Sequence, residues 1–386
     1  MLQGVRVLDL THVIAGPYAT YQMAVLGADV IKVEDPNTPD MARHMGHGAE
    51  RQMGTLFRAQ GRGKRAIALD LKTKAGRVAF LKLIETTDVL VENFRVGALS
   101  ELGLGYEDLR QAHPRLIYCS LTGLGQDGCK ADQTAYDNVI QAASGLMGFN
   151  GSGADWPLKI DAPVVDYASG LTAAFAVMTA LYDRVRTGRG QHVDVAMLDT
   201  ALTLMGSQVL GLSEAGGQVA RPAKDLPGFS GLARYETQEG QLMLGALNQR
   251  QIVRLIDALD LVGWARPPNL RHLDEARSAL EEVFLSRTAS EWEDYLNRFD
   301  VPAQRVRLLH ETLAEPHVKE RGQLQRIGTE KGVVPVAGFK LSAAEMGVSK
   351  PAPLVGQHNN EVLRTSSEQG RAEIGVKGGR VLHNTP

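Results

Sequence analysis

The sequence predicts an α/β fold, a mostly parallel sheet covered by helices on both faces, with a smaller α+β domain set into the second half. Three observations predict it. Short β-branched runs alternate with helix-compatible stretches from Val5 to Met197. The best helical stretch, Asp166 to Arg186, keeps a 3.6-residue apolar period. After about Ser213 the order changes to a hairpin followed by amphipathic helices.

Taken in order, Val5–Leu10 is an apolar run suited to a strand buried on both faces. Pro17 fits a helix's first turn, Tyr18–Leu26 is helix-compatible, and Gly27 sits where a helix end wants a left-handed residue. Asp29–Glu34 is the second strand, stopped by Pro36. Ala66–Leu71 is a short strand, and Ala75–Glu85 a helix with Val78, Leu81 and Ile84 on one stripe. Asp88–Phe94 and, past Pro114, Arg115–Leu121 are further strands. In Asp166–Arg186 the periodic set is Leu171, Ala174, Phe175, Met178, Leu181, Tyr182 and Val185, the spacing of a core-facing stripe. Thr187–Gly190 breaks that helix, and His192–Met197 is a strand again.

Glu214–Ser230 reads as a linker, and Leu232–Leu247 as a hairpin turning at Gln238-Glu239-Gly240. Helical sequence follows near Gln251–Leu261 and across Leu273–Phe299, and short strands and turns return from about Gly328. The expected domains are 1–213, a large sheet domain; 214–326, linker and small α+β domain; and 327–386, a return to the large domain ending in a polar surface tail.

Composition narrows the class. Of 386 residues, 44% are apolar and 22% charged, which excludes a disordered, collagen-like or coiled-coil chain. Lys plus Arg is 42 against 44 Asp plus Glu, a net charge of −2 with no basic block, so neither nucleic acid nor an anionic membrane is an expected partner. The apolar runs fall short of the ~20 residues of a membrane helix. No signal-peptide core precedes Val5, so a cytoplasmic location is expected. Cys119 and Cys129, ten residues apart, suggest neither a disulfide framework nor a zinc site.

Gly123-Leu124-Gly125-Gln126-Asp127-Gly128 has the G-x-G-x-x-G spacing, but a dinucleotide site needs a helix opening at that loop, and helical pattern resumes only near Ala135. Glu34 stands where a ribose-binding carboxylate would, yet the loop Thr11–Pro17 has a single glycine. His44, His47 and Glu50 have helical spacing for a metal, but Gly46 and Gly48 argue against a helix there, and no metal is expected. Ser144 and Ser169 lack the glycine frame of a nucleophile elbow. Asp166 follows the apolar run 162–165 and precedes the best helix, where it reads as an N-cap. That placement is also compatible with a carboxylate nucleophile, because a helix N-terminus favours the ionised form and a strand-to-helix turn presents it at a crevice.

Several runs together resemble the class III CoA-transferase family. They are Gly4–Thr11, Ala15-Gly16-Pro17, Leu26–Glu34, Gly63–Lys72, Val91–Arg95, Thr187–Val195, Val301-Pro302-Ala303 and Gly356-Gln357-His358. The ordered set spans nearly the whole chain. The resemblance implies a Rossmann-like large domain and an interlocked homodimer. It implies transfer of CoA from an acyl-CoA to a carboxylic acid without a tightly bound cofactor, coenzyme A being substrate. Asp166 would be the nucleophile, passing through an aspartyl anhydride and an aspartyl-CoA thioester. CoA would contact Ala15, Leu69, Lys72, Asn93 and Phe94, with Arg95 a phosphate candidate. Ile14, Gly123, Gly125 and Tyr136 would line the substrate site, the glycine-rich turn offering N–H donors to oxyanions. A small dicarboxylic acid is the expected acceptor, with Arg43 or Arg51 to clamp its second carboxylate. Ile14 replaces the glutamine of formyl-CoA transferase, and Asp35 and Glu101 replace bases found in many or some relatives. Two other readings stand beside this one. An α-methylacyl-CoA racemase-type isomerase is disfavoured because Ala135-Tyr136-Asp137 lacks that branch's histidine, and a tyrosine with pKa near ~10 is a poor base. A catalytically silent CoA-binding protein is disfavoured by the retention of Asp166.

Overall fold

A computed structural model describes residues 1–151, 153–217, 230–261, 277–327 and 332–363. Six strands form one parallel sheet: β1 (Arg6–Asp9), β2 (Asp29–Glu34), β3 (Arg65–Ala68), β4 (Val89–Glu92), β5 (Ile117–Thr122) and β6 (His192–Ala196). Their order is β3-β2-β1-β4-β5-β6, so the direction of winding reverses between β1 and β4. Between them run α1 (Ala15–Val25), α2 (Thr55–Gly61), α3 (Lys74–Ile84), α4 (Tyr106–Leu109), α5 (Asp137–Ala143) and α6 (Val164–Thr187), and α7 (Met197–Leu204) and α8 (Gly206–Glu214) follow β6.

Alternate residues of each strand feed two cores. Val7, Val30, Val89 and Ile117 pack with α1 and α6, while Leu8, Ile31, Leu90 and Tyr118 pack with Phe80, Leu83 and Ile84 of α3. The stripe expected on α3 is therefore displaced: Val78 is 46% exposed and Leu81 also faces solvent, and of that set only Ile84 is buried. Thr73 caps α3, its Oγ1 accepting from Gly76 N at 3.0 Å.

The same correction applies more strongly to α6. Its buried residues are Val165, Ser169, Gly170, Ala173, Ala174, Val177, Ala180 and Arg184. Of the expected stripe Ala174 is buried and Met178 and Leu181 pack against the core, whereas Phe175 is 74% and Val185 84% exposed, with Leu171 and Tyr182 also outward. Small residues face inward because α6 runs close against α1. A Cβ on Gly170 would sit 2.6 Å from Ala15 O. By length and apolar composition α6 would suffice to cross a membrane, contrary to the expectation that no run would. Its small-residue face is nonetheless packed into the sheet domain.

The chain divides into two compact units. One holds the described residues of Met1–Gly151, Pro157–Gln218 and Gly322–Pro386, and the other those of Ser152–Trp156 and Val219–Arg321. The chain leaves the larger unit near 218 and returns to it at 322, and Ser152–Trp156 is an unexpected addition to the smaller unit. In the smaller unit β7 (Arg234–Glu236) and β8 (Gln241–Leu244) form the hairpin over Gln238-Glu239-Gly240, and β9 (Ala303–Arg305) adds a third antiparallel strand. Helices Gln249–Ala258, Arg277–Phe284 and Ala289–Arg298 complete its core around Tyr235, Phe284 and Trp292. Most of the expected linker, the stretch 262–276 and the tail from 364 lie outside the described residues.

Candidate active site

The reversal between β1 and β4 leaves a crevice at their carboxyl ends, where open parallel sheets hold ligands. A cavity of about 370 Å³ lies there. It is walled by His12, Val13, Ile14 and Ala15 after β1, Asn93 to Val96 after β4, Thr122 and Gly123 after β5, the stretch Ala131–Tyr136, Met41, and Asp166 of α6.

Asp166 is in the first turn of α6 but does not cap it. The helix opens two residues earlier, with Pro163 at the capping position. The cap comes from Asp137, whose Oδ2 accepts from Val165 N at 2.8 Å and Asp166 N at 3.0 Å. Asp137 is fixed in turn by Gln141 Nε2 at 2.5 Å, and Gln141 exchanges two hydrogen bonds with the Ile160 backbone. Spared from capping, the Asp166 carboxyl lines the cavity. Burial, and then the neighbouring Asp137 carboxylate, push its pKa up to about 7. This reverses the expectation that the helix N-terminus would keep it readily ionised. A carboxyl poised near neutrality in a cavity is more basic, hence more nucleophilic, than an ordinary aspartate.

Ile14, at the N-cap of α1, and Ala15 line the cavity beside it. Tyr136, 61% exposed at the N-cap of α5, is a wall residue and not a core aromatic. Gly123 lines the cavity, but Gly125 does not. Gly125 N–H donates to Thr122 Oγ1 at 3.0 Å and Gln126 N–H to Asp194 Oδ2 at 3.0 Å. Those two amides of the glycine-rich turn brace the turn itself, so the expected oxyanion donors are not Gly125 or its neighbour.

Asn93 is a staple between loops. Its Oδ1 accepts from His12 N at 2.8 Å and its Nδ2 donates to His12 O at 2.9 Å. The Phe94 ring packs on His12, centroids 5.6 Å apart. Arg95 grips Glu101 with contacts of 2.7 and 3.0 Å, an exposed pair that occupies the expected phosphate ligand. Leu69 and Lys72 line a second cavity of about 300 Å³ together with Asp35, Glu101, His12 and Phe94. His12 and Phe94 are therefore shared walls of both cavities. Sequence reasoning missed His12, whose signal is its place directly after Thr11 at the end of the first strand. Burial, and then Lys32, hold its pKa below the usual imidazole value, favouring the neutral ring.

Arg43 is no substrate clamp. It is fully buried, donates to both oxygens of Glu34 at 2.8 and 2.6 Å, and lies 3.6 Å over the Phe57 ring. That pairing also takes Glu34 out of any ribose-binding role. Arg51 is exposed beside Glu50. Among the described residues no group of three or more His, Cys, Asp or Glu is placed to hold a metal, and His44 closes a short 3-10 turn, Met41–His44.

The chain also has relatives among known proteins. Residues 2–359 match the family described as CoA-transferase family III. The succinate–glutarate CoA-transferase of Agrobacterium fabrum is 33% identical over 379 residues, covering 94% of each chain. The succinyl-CoA:mesaconate CoA-transferase of Haloarcula hispanica is 32% identical over 384 residues, covering 94% of this chain and 95% of that protein. A crystal structure of a CAIB/BAIF family protein from Brucella suis superposes with a TM-score of 0.82 at 29% identity, covering 95% of this chain and 99% of that one.

Proposed function

The chain belongs to CoA-transferase family III, and from that premise we propose that it moves CoA from an acyl-CoA to a small dicarboxylic acid with Asp166 as nucleophile. The observation that carries the reading is the Asp166 carboxyl, released from capping by Asp137 and raised to about 7 in a cavity at the sheet's reversal point. The ionised carboxylate attacks the thioester carbonyl, forming a C–O bond and expelling CoA thiolate, which leaves a mixed anhydride. The thiolate returns to the aspartyl carbonyl, releasing the first acid as its carboxylate. The incoming carboxylate then attacks this aspartyl thioester, and the expelled thiolate captures the new acyl group and regenerates Asp166. Retaining the thiolate makes each recapture effectively intramolecular, and excluding water protects the anhydride.

The dicarboxylate assignment is supported by the succinate, glutarate and mesaconate in the relatives' names. CoA is proposed to run from the Leu69–Lys72 cavity past His12 and Phe94 toward Asp166. A homodimer is proposed because α6 turns Leu171, Phe175, Tyr182 and Val185 outward, an apolar face too large for a comfortable monomer surface. Light scattering should give twice the chain mass for wild type. Phe175→Asp should lower it or leave the protein aggregated, and a monomeric wild type would overturn the dimer.

The test of the reaction mixes the protein with a panel of acyl-CoA donors and dicarboxylic acids, following new thioesters by mass spectrometry. Hydroxylamine traps the activated aspartate. Exchange by wild type but not Asp166→Ala, with the adduct on Asp166, is the expected result. Exchange that survives Asp166→Ala overturns the assignment. Loss of stereochemistry at a 2-methylacyl-CoA without exchange would favour the isomerase.

A further inference from the structure

The loop from Thr11 to Ile14 contains a residue that ought not to be there. Val13 has φ of +69°, and a β-branched side chain in left-handed backbone is strained by Cβ crowding. Such strain persists only where surrounding structure overdetermines it. The surroundings here are side chains from five places in the fold, among them the buried Gln60, whose amide donates to Val13 O at 3.1 Å and Ile14 O at 3.0 Å. Asp9 Oδ1 accepts from Thr11 N at 3.0 Å, and Lys32 Nζ donates to Thr11 O at 2.5 Å. Asn93 holds both backbone groups of His12. Asp40 Oδ1 accepts from Val13 N at 3.0 Å, and the same oxygen accepts from Ala42 N at 3.0 Å.

Asp40 is itself well anchored. Its Oδ2 lies 3.0 Å from Lys32 Nζ, with both side chains 1% exposed. Its backbone N–H donates to Glu34 Oε1 at 3.1 Å, and Glu34 is gripped by buried Arg43. Among the described residues only Asp40 accepts from the strained residue's own N–H, and the residues on either side of Val13, His12 and Ile14, are walls of the Asp166 cavity. Relaxing φ at Val13 to a negative value would swing the chain direction between them and misplace both.

We propose that Asp40 is a positioning residue for acyl transfer, holding Val13 in left-handed backbone so that His12 and Ile14 face the reacting centre. The proposal rests on the reading of the Asp166 cavity as the transfer site. It predicts a specific energetic coupling. Glycine adopts positive φ without penalty, so Val13→Gly removes the need for Asp40's restraint.

The experiment is a double-mutant cycle on the full-length protein with Asp40→Glu and Val13→Gly. Glutamate keeps a negative partner for Lys32, so the buried cation is not left unpaired, while its oxygen moves off the Val13 amide. Asp40→Glu should lower kcat by roughly 10- to 100-fold with little change in KM for the acyl-CoA, as misplacement near the reacting atoms does. Added to Val13→Gly, the same change should cost a much smaller factor. Amide hydrogen exchange over residues 11–15 should speed up in Asp40→Glu while the strands keep their protection. Equal losses of kcat from Asp40→Glu in both backgrounds, or unchanged exchange at 11–15, overturn the positioning role. An inactive wild type instead overturns the transferase reading, and the exchange experiment then still decides whether Asp40 restrains the loop.

Discussion

Replacing Asp166 with asparagine should stabilise the protein, and by an amount that depends on pH. In the fold its carboxyl titrates at about 7 against 3.8 for a free aspartate. Below about pH 4 the group is protonated in both folded and unfolded chains, and it contributes nothing. Between about 4 and 7 the unfolded chain ionises while the folded one resists, so stability falls as pH rises. Above about 7 both are ionised and the folded state carries the full cost, with a ceiling of about 4 kcal/mol. Asp166 is half-buried at a cavity wall, and solvent screening reduces that to about 1–3 kcal/mol. Asp166→Asn removes the charge and keeps the shape. Urea unfolding followed by circular dichroism at pH 5, 6, 7 and 8 should show the variant gaining on wild type from 5 to 7 and levelling off by 8. A difference constant across that range, or a variant less stable than wild type at pH 8, would refute the argument that Asp166 is held at an electrostatic cost. The same variant should be inactive, the expected exchange of stability for function.

Activity should follow the same ionisation with the opposite consequence. The nucleophile is the ionised form, so kcat/KM for the acyl-CoA should fall about tenfold per pH unit below 7, and a plateau reaching pH 5 would exclude Asp166 as the titrating nucleophile. Glu92, also raised to about 7 by burial and bonded to Phe94 N, would sharpen that limb if its protonation loosens the loop after β4. Glu101→Gln should free Arg95 from its ion pair and lower KM for the acyl-CoA by about 2- to 5-fold, the yield of an exposed pair, measurable in the exchange assay. Phe80→Ala should cost about 3–5 kcal/mol in urea unfolding, whereas Val78→Lys on the solvent side of the same helix should stay within about 0.5 kcal/mol.

The strands were legible because a parallel strand buried on both faces is a continuous β-branched run. Asp29–Glu34 was read residue for residue. Helix faces were harder, since a 3.6-residue period in an apolar helix admits more than one stripe. In α6 the larger apolar residues suggested the core face, but the approach to α1 at Gly170 demands small ones, and Phe175 and Val185 were pushed outward. Asp166 was visible from its position before the best helix, and its partner was not. The cap from Asp137 crosses almost thirty residues of chain, and no local pattern encodes it. The same holds for Arg43, which looks like a free surface arginine until Glu34 and Phe57 close on it. Asn93 and Lys72 were placed near the site by resemblance alone. Only the fold separates the loop staple from the groove residue.

The raised Asp166 pKa bears on the direction of the proposed reaction as well as its rate. In the mixed anhydride the returning thiolate can attack either carbonyl. Attack on the substrate carbonyl expels Asp166 and regenerates the starting thioester, while attack on the aspartyl carbonyl expels the substrate carboxylate and moves the reaction forward. The less basic carboxylate is the better leaving group. An ordinary substrate carboxylate near ~4 therefore departs more readily than an aspartate held near 7. Burial and Asp137 thus drive the first half of the cycle, making Asp166 the stronger nucleophile toward the thioester and the poorer leaving group from the first anhydride. In the second half, where Asp166 must leave the new anhydride, the same basicity slows its release. An aspartate left fully hydrated would lose that bias, which gives the burial of a destabilising carboxyl in this cavity a chemical purpose.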